Sequence, residues 1–301
     1  MTSCLHDHSD WTPQHSGGAA ARYLNPKTTL DALSLVLEGR VIDLARSVAS
    51  GAPANPLLMT PFTMSPTVRA SDNVAMRRAR GGINDAGAIL ERIGMTTHVG
   101  THIDALGHFA RGDAMYGNRS AAAMTGPAGL DDLGVEHIPP MVTRGLCLDM
   151  SALDDGEYLE GGRTISRVDI EAALAAAQLS VQAGDVVFIH TGWGQFYQDD
   201  PARYIASEPG IDKAAAKFLT DARVIAIGAD TMAVEVLPGA EFPEVQMPVH
   251  LHCLVDAGVN LIENLDLTPL VAERITSFCI IVAPIAFKGA TGSPLRPLAL
   301  V

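Results

Sequence analysis

The residues best suited to chemistry lie together in HVGTHIDALGH, from His98 to His108, which holds Asp104 and three of the ten histidines in the chain. A helix turns by about 100° per residue, so helical geometry would leave Asp104 roughly 240° away from His98. An extended segment instead places His98, Gly100, His102 and Asp104 on one side, and the β-branched Thr96, Thr97, Val99, Thr101 and Ile103 favour extension. Two imidazoles and a carboxylate that converge suit a divalent transition metal such as Zn or Mn, whereas calcium prefers an all-oxygen shell. Gly100, with no side chain on that face, leaves room for the metal or a substrate. Three protein ligands with an open position can lower the pKa of a bound water to about 7. His108, set apart from Asp104 by Ala-Leu-Gly, is spaced to carry the proton as a catalytic acid and base.

Further ligands are expected from PVHLHCLVDAGVNLIEN, residues 248 to 264. Its first part reads as a helix with Pro248 in the first turn and Gly258 at its end, on which His250 and His252 point about 200° apart, so only one of them faces a site. Glu263 shares a strand face with Val259 and Leu261, and a carboxylate on an apolar face needs a partner such as a metal. His190 and Glu235 are assigned supporting roles. HTGWG, residues 190 to 194, ends a strand, where Trp193 is a candidate wall for a substrate pocket. Phosphate-loop, dinucleotide, serine-hydrolase and zincin signatures are missing from the sequence, and GATGSP, residues 289 to 294, reads as a turn.

The elements that must position these groups are legible as short apolar runs and amphipathic stretches. RVIDLA (40 to 45), GDVVFIHTG (184 to 192), ARVIAIGAD (222 to 230) and FCIIVAPIAF (278 to 287) have the β-branched character of buried strands. TTLDALSLVLEG closing on Gly39, SRVDIEAALAAAQL with Ser166 as N-cap, and GIDKAAAKFLTDA read as helices. The expectation is an α/β fold, with residues 1–27 a flexible polar leader and 28–301 one domain. With 21 basic against 34 acidic residues, neither nucleic acid nor an anionic membrane is an expected partner, and a small molecule is. The scattered cysteines, Cys4, Cys147, Cys253 and Cys279, are expected to be reduced thiols, and the location cytoplasmic.

HVGTHIDALGHF resembles the HxGTHxDxxxHF signature of the metal-dependent cyclase family, which includes bacterial kynurenine formamidases and isatin hydrolases. The resemblance extends to HTGW, to the spacing of His250, Leu254, Gly258, Glu263 and Asn264, and to TGSPLRP near the end of the chain, and so covers about residues 28 to 301. It implies a swivelling β/β/α fold with a mixed sheet, assembled as a homodimer or homotetramer. It also implies one or two Mn or Zn ions, with His98, His102 and Asp104 on one and Asp104, His250 and Glu263 on the other. His108 matches the proton donor and acceptor. The Gly258 register favours His250 over His252. The formamidases carry a tryptophan in an early Pro-rich loop; here SGAPANPLLMTPF has none, and Phe62 is its nearest substitute. The implied activity is hydrolysis of an amide C–N bond in a cyclic or aryl substrate. An ester or lactone hydrolase with the same centre and a protein with a purely structural metal are the alternatives.

Overall fold

The computed structural model describes residues 19–238 and 244–301. Cys4 and residues 1–18 of the expected leader lie outside the described residues. Residues 19 to 27 form a helical turn, Ala19–Tyr23, and the start of α1 (Pro26–Leu33), whose capping box is built from Asn25 and Thr28. The helix stops at Leu33, well before Gly39, which instead takes φ +69° in the turn leading to the first strand.

Among the described residues, nine strands form one mixed sheet. In chain order its strands are β1 (Val41–Asp43), β4 (His102–Asp104), β5 (Met141–Asp149), β6 (Val186–His190), β7 (Ala226–Ala229), β8 (Asn260–Glu263), β9 (Ser277–Val282), β10 (Gly292–Pro294) and β11 (Leu298–Leu300). The two intervening strands, β2 (Thr63–Val68) and β3 (Leu90–Gly94), pair only with each other. Across the sheet the order is β1-β11-β9-β5-β6-β7-β8-β4-β10.

The central four strands, β5 to β8, are parallel, and each step between them is made by a helix. These helices are α3 (Arg167–Ala176), α4 (Lys213–Asp221) and α5, whose first turn Pro248–His250 runs into a π-helical stretch, Leu251–Ala257. Ser166 caps α3 as expected, Asp212 caps α4, and Gly258 ends α5 with φ +68°. β6 and β7 are buried along their whole length, the mark of parallel strands covered on both faces. Antiparallel strands complete the sheet, with β9, β11 and β1 on one side and β4 and β10 on the other. The expected mixed-sheet α/β fold is the one observed.

Candidate metal centre

Strand pairing brings the ligand candidates together. In the β8–β4 ladder Glu263 stands directly opposite His102, so their side chains emerge on the same face, and Asp104, two residues on, shares it. His102 Nε2 lies 3.2 Å from Glu263 Oε2 and 3.4 Å from Asp104 Oδ1. The first turn of α5 brings in His250, whose Nε2 is 3.2 Å from Glu263 Oε1 and 3.6 Å from Asp104 Oδ2. His98 Nδ1 approaches Asp104 Oδ1 to 2.8 Å. Asp104 is therefore shared by all three imidazoles.

His98 itself is not on the strand. Only His102–Asp104 is extended; His98 to Thr101 form a turn in which Gly100 has φ +77°, and Leu106–His108 is a helical turn. Gly100 is needed for that left-handed backbone and because a Cβ would meet Val48 Cγ2 at 2.3 Å, not to leave room for a ligand. Its carbonyl does the site a service. It accepts from His102 Nδ1 at 2.9 Å and from Asn264 Nδ2 at 3.1 Å, which turns His102 Nε2 toward the carboxylates.

His250 is oriented in the same manner. Its Nδ1 donates to Glu235 Oε1 at 2.6 Å, and the same carboxylate accepts from the backbone N–H of Val249 and His250 at the start of α5. His252 points away and bonds Thr220 Oγ1 at 2.8 Å, so the choice left open by the sequence falls on His250. His108 stacks on His98 with ring centroids 4.0 Å apart, and Phe109 stands 4.9 Å from His108 and 4.6 Å from His250.

The donor set fits a cation. His98 Nδ1, His102 Nε2, both Asp104 oxygens and Glu263 Oε1 are buried yet make no hydrogen bond, although each lies within 3.6 Å of a nitrogen or oxygen of another residue in the cluster. Atoms so close, aimed at a common point without hydrogen-bond geometry, are arranged as ligands are. Two overlapping triads each bring three ligand atoms within 4.8 Å of one another: His102, Asp104 and Glu263, and His98, Asp104 and His108.

Charges in the cluster are strongly coupled. Burial raises the Asp104 carboxyl, but His108, His102, His250 and His98 together hold it well below the usual range. For His102 burial works downward, yet Asp104 and Glu263 lift it to about 10. Burial dominates at His108 and pushes it down to about 4, so its imidazole is neutral near pH 7.

The other sequence candidates lie elsewhere. Trp193 is 1% exposed and packs with Tyr197 and Tyr204, its Nε1 donating to the Tyr204 carbonyl at 3.3 Å, which makes it core rather than a pocket wall. Phe62 is half-buried just before β2. The HTGW segment is held by Asp230, which accepts from the backbone N–H of Thr191, Gly192 and Gly194. His190 bonds Asp149, and Glu235 supports His250, both in keeping with supporting roles. Three features escaped the sequence reading. Glu208 is a 1% exposed carboxyl raised far above its usual value by burial, with Glu263 nearby. Phe109 was passed over although it closes the HxxxHF motif. Thr291, in the stretch read as a plain turn, touches His98 at 3.0 Å.

Comparison with known proteins gives the chain a family and a fold. The Cyclase family model matches residues 42–236. An isatin hydrolase from Roseibium aggregatum is 28% identical over 213 residues, covering 68% of this chain and 72% of the relative. Among solved structures, one described as a novel cyclase superposes with a TM-score of 0.85 at 28% identity, covering 99% of this chain and all of the other. Isatin hydrolase A from Ralstonia solanacearum shares the fold, with a TM-score of 0.67 at 20% identity over 90% of this chain and 97% of its own.

Proposed function

The chain belongs to the Cyclase family, and from that premise we propose that it is a metal-dependent hydrolase that opens an amide C–N bond in a small cyclic or aryl substrate. A lactam or imide such as isatin, or an N-formyl aryl amide, is the class in mind. The observation that carries this reading is the convergence of five buried donor residues, His98, His102, Asp104, His250 and Glu263, four of which (His98, His102, Asp104 and Glu263) face the cluster with an atom that makes no hydrogen bond. They would hold one or two divalent cations, Mn or Zn, with Asp104 common to both. Such a cation supplies Lewis acidity toward a carbonyl and a water acidic enough to attack near neutral pH.

The remaining work falls to the protein. His108, neutral because of its burial, accepts the proton of the attacking water and returns it to the leaving nitrogen. Phe109, against both His108 and His250, offers an aromatic face on which a planar substrate stacks. The resemblance to isatin hydrolases supports a cyclic amide over an open one. A second reading has an observation of its own: His108 also belongs to a triad of possible ligands with His98 and Asp104, which would make it a metal ligand rather than a proton carrier.

The test is to strip the protein with a chelator, reload it with Mn or Zn, measure the bound ion by elemental analysis, and assay isatin-like cyclic amides, formanilides and lactones. Cation-dependent opening of a cyclic amide or formanilide is expected. Turnover confined to lactones would overturn the C–N assignment, and failure to bind any cation would overturn the metal-dependent reading.

We propose further that the protein works as a homodimer or homotetramer. The apolar side chains exposed on the β2/β3 hairpin support this, since another copy of the chain would cover them.

A further inference from the structure

His98 differs from the other ligand candidates in lying on a turn, so its ring needs support from outside its own element. That support comes from the segment Thr291-Gly292. Thr291 Oγ1 is 3.0 Å from His98 Nε2. Next to it, Gly292 lies so near the imidazole that a Cβ would stand 2.5 Å from Cε1 and 3.0 Å from both ring nitrogens. His108 also stacks on the ring, with centroids 4.0 Å apart and 24° between planes. The imidazole is thus confined by a glycine backbone and a second ring, with one nitrogen pinned.

This support is tied to the site by the sheet. Gly292 stands opposite Asp104 in the β10–β4 ladder, and the Thr291 carbonyl accepts from the Ala105 N–H at 2.9 Å. The element that holds His98 is therefore in register with the carboxylate that His98 faces.

We infer that Thr291 and Gly292 are positioning residues for His98, the hydroxyl fixing its Nε2–H tautomer so that Nδ1 is the nitrogen offered to a cation. A proton on Nε2 that donates to Thr291 Oγ1 leaves the Nδ1 lone pair directed at the Asp104 side, where Nδ1 and Oδ1 are 2.8 Å apart. Gly292 contributes shape alone: any side chain there displaces the ring. The inference rests on the metal-dependent reading of the site and adds which residues prepare one of its ligands.

Three variants test it on chelator-stripped protein: Thr291→Val, isosteric but without the hydroxyl, Thr291→Ser, which keeps it, and Gly292→Ala. The readouts are the Mn and Zn dissociation constants from calorimetric titration, the thermal midpoint without metal, and long-range nitrogen–proton NMR correlations of the histidine rings. Thr291→Val is expected to bind about 10- to 100-fold more weakly, in the range found when a partner of a metal-bound histidine is removed. It should also lose the pure Nε2–H signature of His98 while keeping its thermal midpoint. Thr291→Ser should restore affinity to within about threefold and Gly292→Ala should weaken it at least as much as Thr291→Val. Wild-type affinity in Thr291→Val, or equal weakening in Val and Ser variants, would overturn the inference while leaving the functional reading standing. A wild-type protein that binds neither cation overturns both.

Discussion

His102 and Glu263, both ionisable, are 0% and 4% exposed where β4 meets β8, whereas Leu90 and Ile93, both apolar, are 55% and 57% exposed on β3. The two regions invert the usual sorting of polar outside and apolar inside in opposite senses. Around β4 the inversion is stabilised by a rigid frame: neighbouring strands, the Gly100 carbonyl and the Glu235 carboxylate fix each imidazole. The arm made of β2, the helix α2 (Ala70–Ala79) and β3 has no such frame. A two-stranded hairpin alone is marginal in water, and this one leaves Met64, Leu90 and Ile93 open, with Ile83 97% exposed beyond α2. The arm carries five arginines, Arg69, Arg77, Arg78, Arg80 and Arg92, in a chain of net charge −13, so an acidic surface of a second copy would complement it. Buried charge calls for a cation and exposed apolar surface for another surface, and each region can be broken separately.

The largest effect is expected at the residue common to every ligand candidate. Asp104→Asn keeps the shape and removes the charge that faces His98, His102 and His250. Cation affinity should fall by more than about 100-fold and hydrolysis should disappear, since loss of a direct ligand exceeds the loss found for its supports. Calorimetric titration and elemental analysis check this. Near-normal metal content would show that Asp104 is not a ligand.

His108→Ala should follow, lowering turnover by about 10²- to 10⁴-fold, the usual contribution of a positioned proton carrier. Metal content decides what His108 is. If the variant retains its ions, the proton role stands; if it loses them, the triad with His98 and Asp104 is the correct grouping.

How far the sequence foretold these two regions follows from how each is stabilised. Strands β6, β7 and β9 and helices α3 and α4 were legible because packing against one core imposes a regular apolar pattern. β5 was not, since Arg144 and Gly145 interrupt its run; Gly145 is there because a Cβ would stand 2.5 Å from the Phe278 ring of β9. The ligand types in HVGTHIDALGH were legible from spacing, but the β-branched residues hid a turn that only the positive φ of Gly100 creates. Thr291 and Glu235 were beyond reach as partners of His98 and His250 from the sequence alone, because contacts across 193 and 15 residues leave no local period. The arm gave no strand signal for the opposite reason: among the described residues its strands stay almost wholly exposed, so no packing imposes a regular period on them.

The other side of the comparison is broken by Leu90→Lys with Ile93→Glu. Exposed substitutions shift the stability of a monomer by no more than about 0.5 kcal/mol, so the thermal midpoint of any monomeric species should hardly move. The proposed assembly should dissociate, with light scattering reporting a single chain where the wild type is expected to give a dimer or tetramer. An unchanged mass would remove the arm from the interface.

The smallest effect belongs to a pair that lies between the two regions in character, His190 and Asp149 at the ends of β6 and β5, with Nδ1 and Oδ1 2.9 Å apart. Burial opposes charge on His190, but Asp149 and Asp230 outweigh both that and the repulsion of Arg46, so its pKa is raised above 6.5. Burial also pushes Asp149 up, while His190 and Ser151 bring it down to about 2 from 3.8. The raised histidine contributes stability that is complete below pH 6.5 and is lost as pH climbs through its folded value. The lowered carboxylate contributes above pH 3.8 and loses that contribution as pH falls toward about 2. Both contributions are present together between those two limits. The Asp149 side chain is 41% exposed, so solvent screens the pair and keeps the effect small. Thermal midpoints of chelator-treated wild type and His190→Gln, measured from pH 5 to 9, should converge toward the alkaline end, with the wild type ahead only on the acidic side. A gap that instead widens with pH would mean that His190 stabilises the fold as a neutral ring.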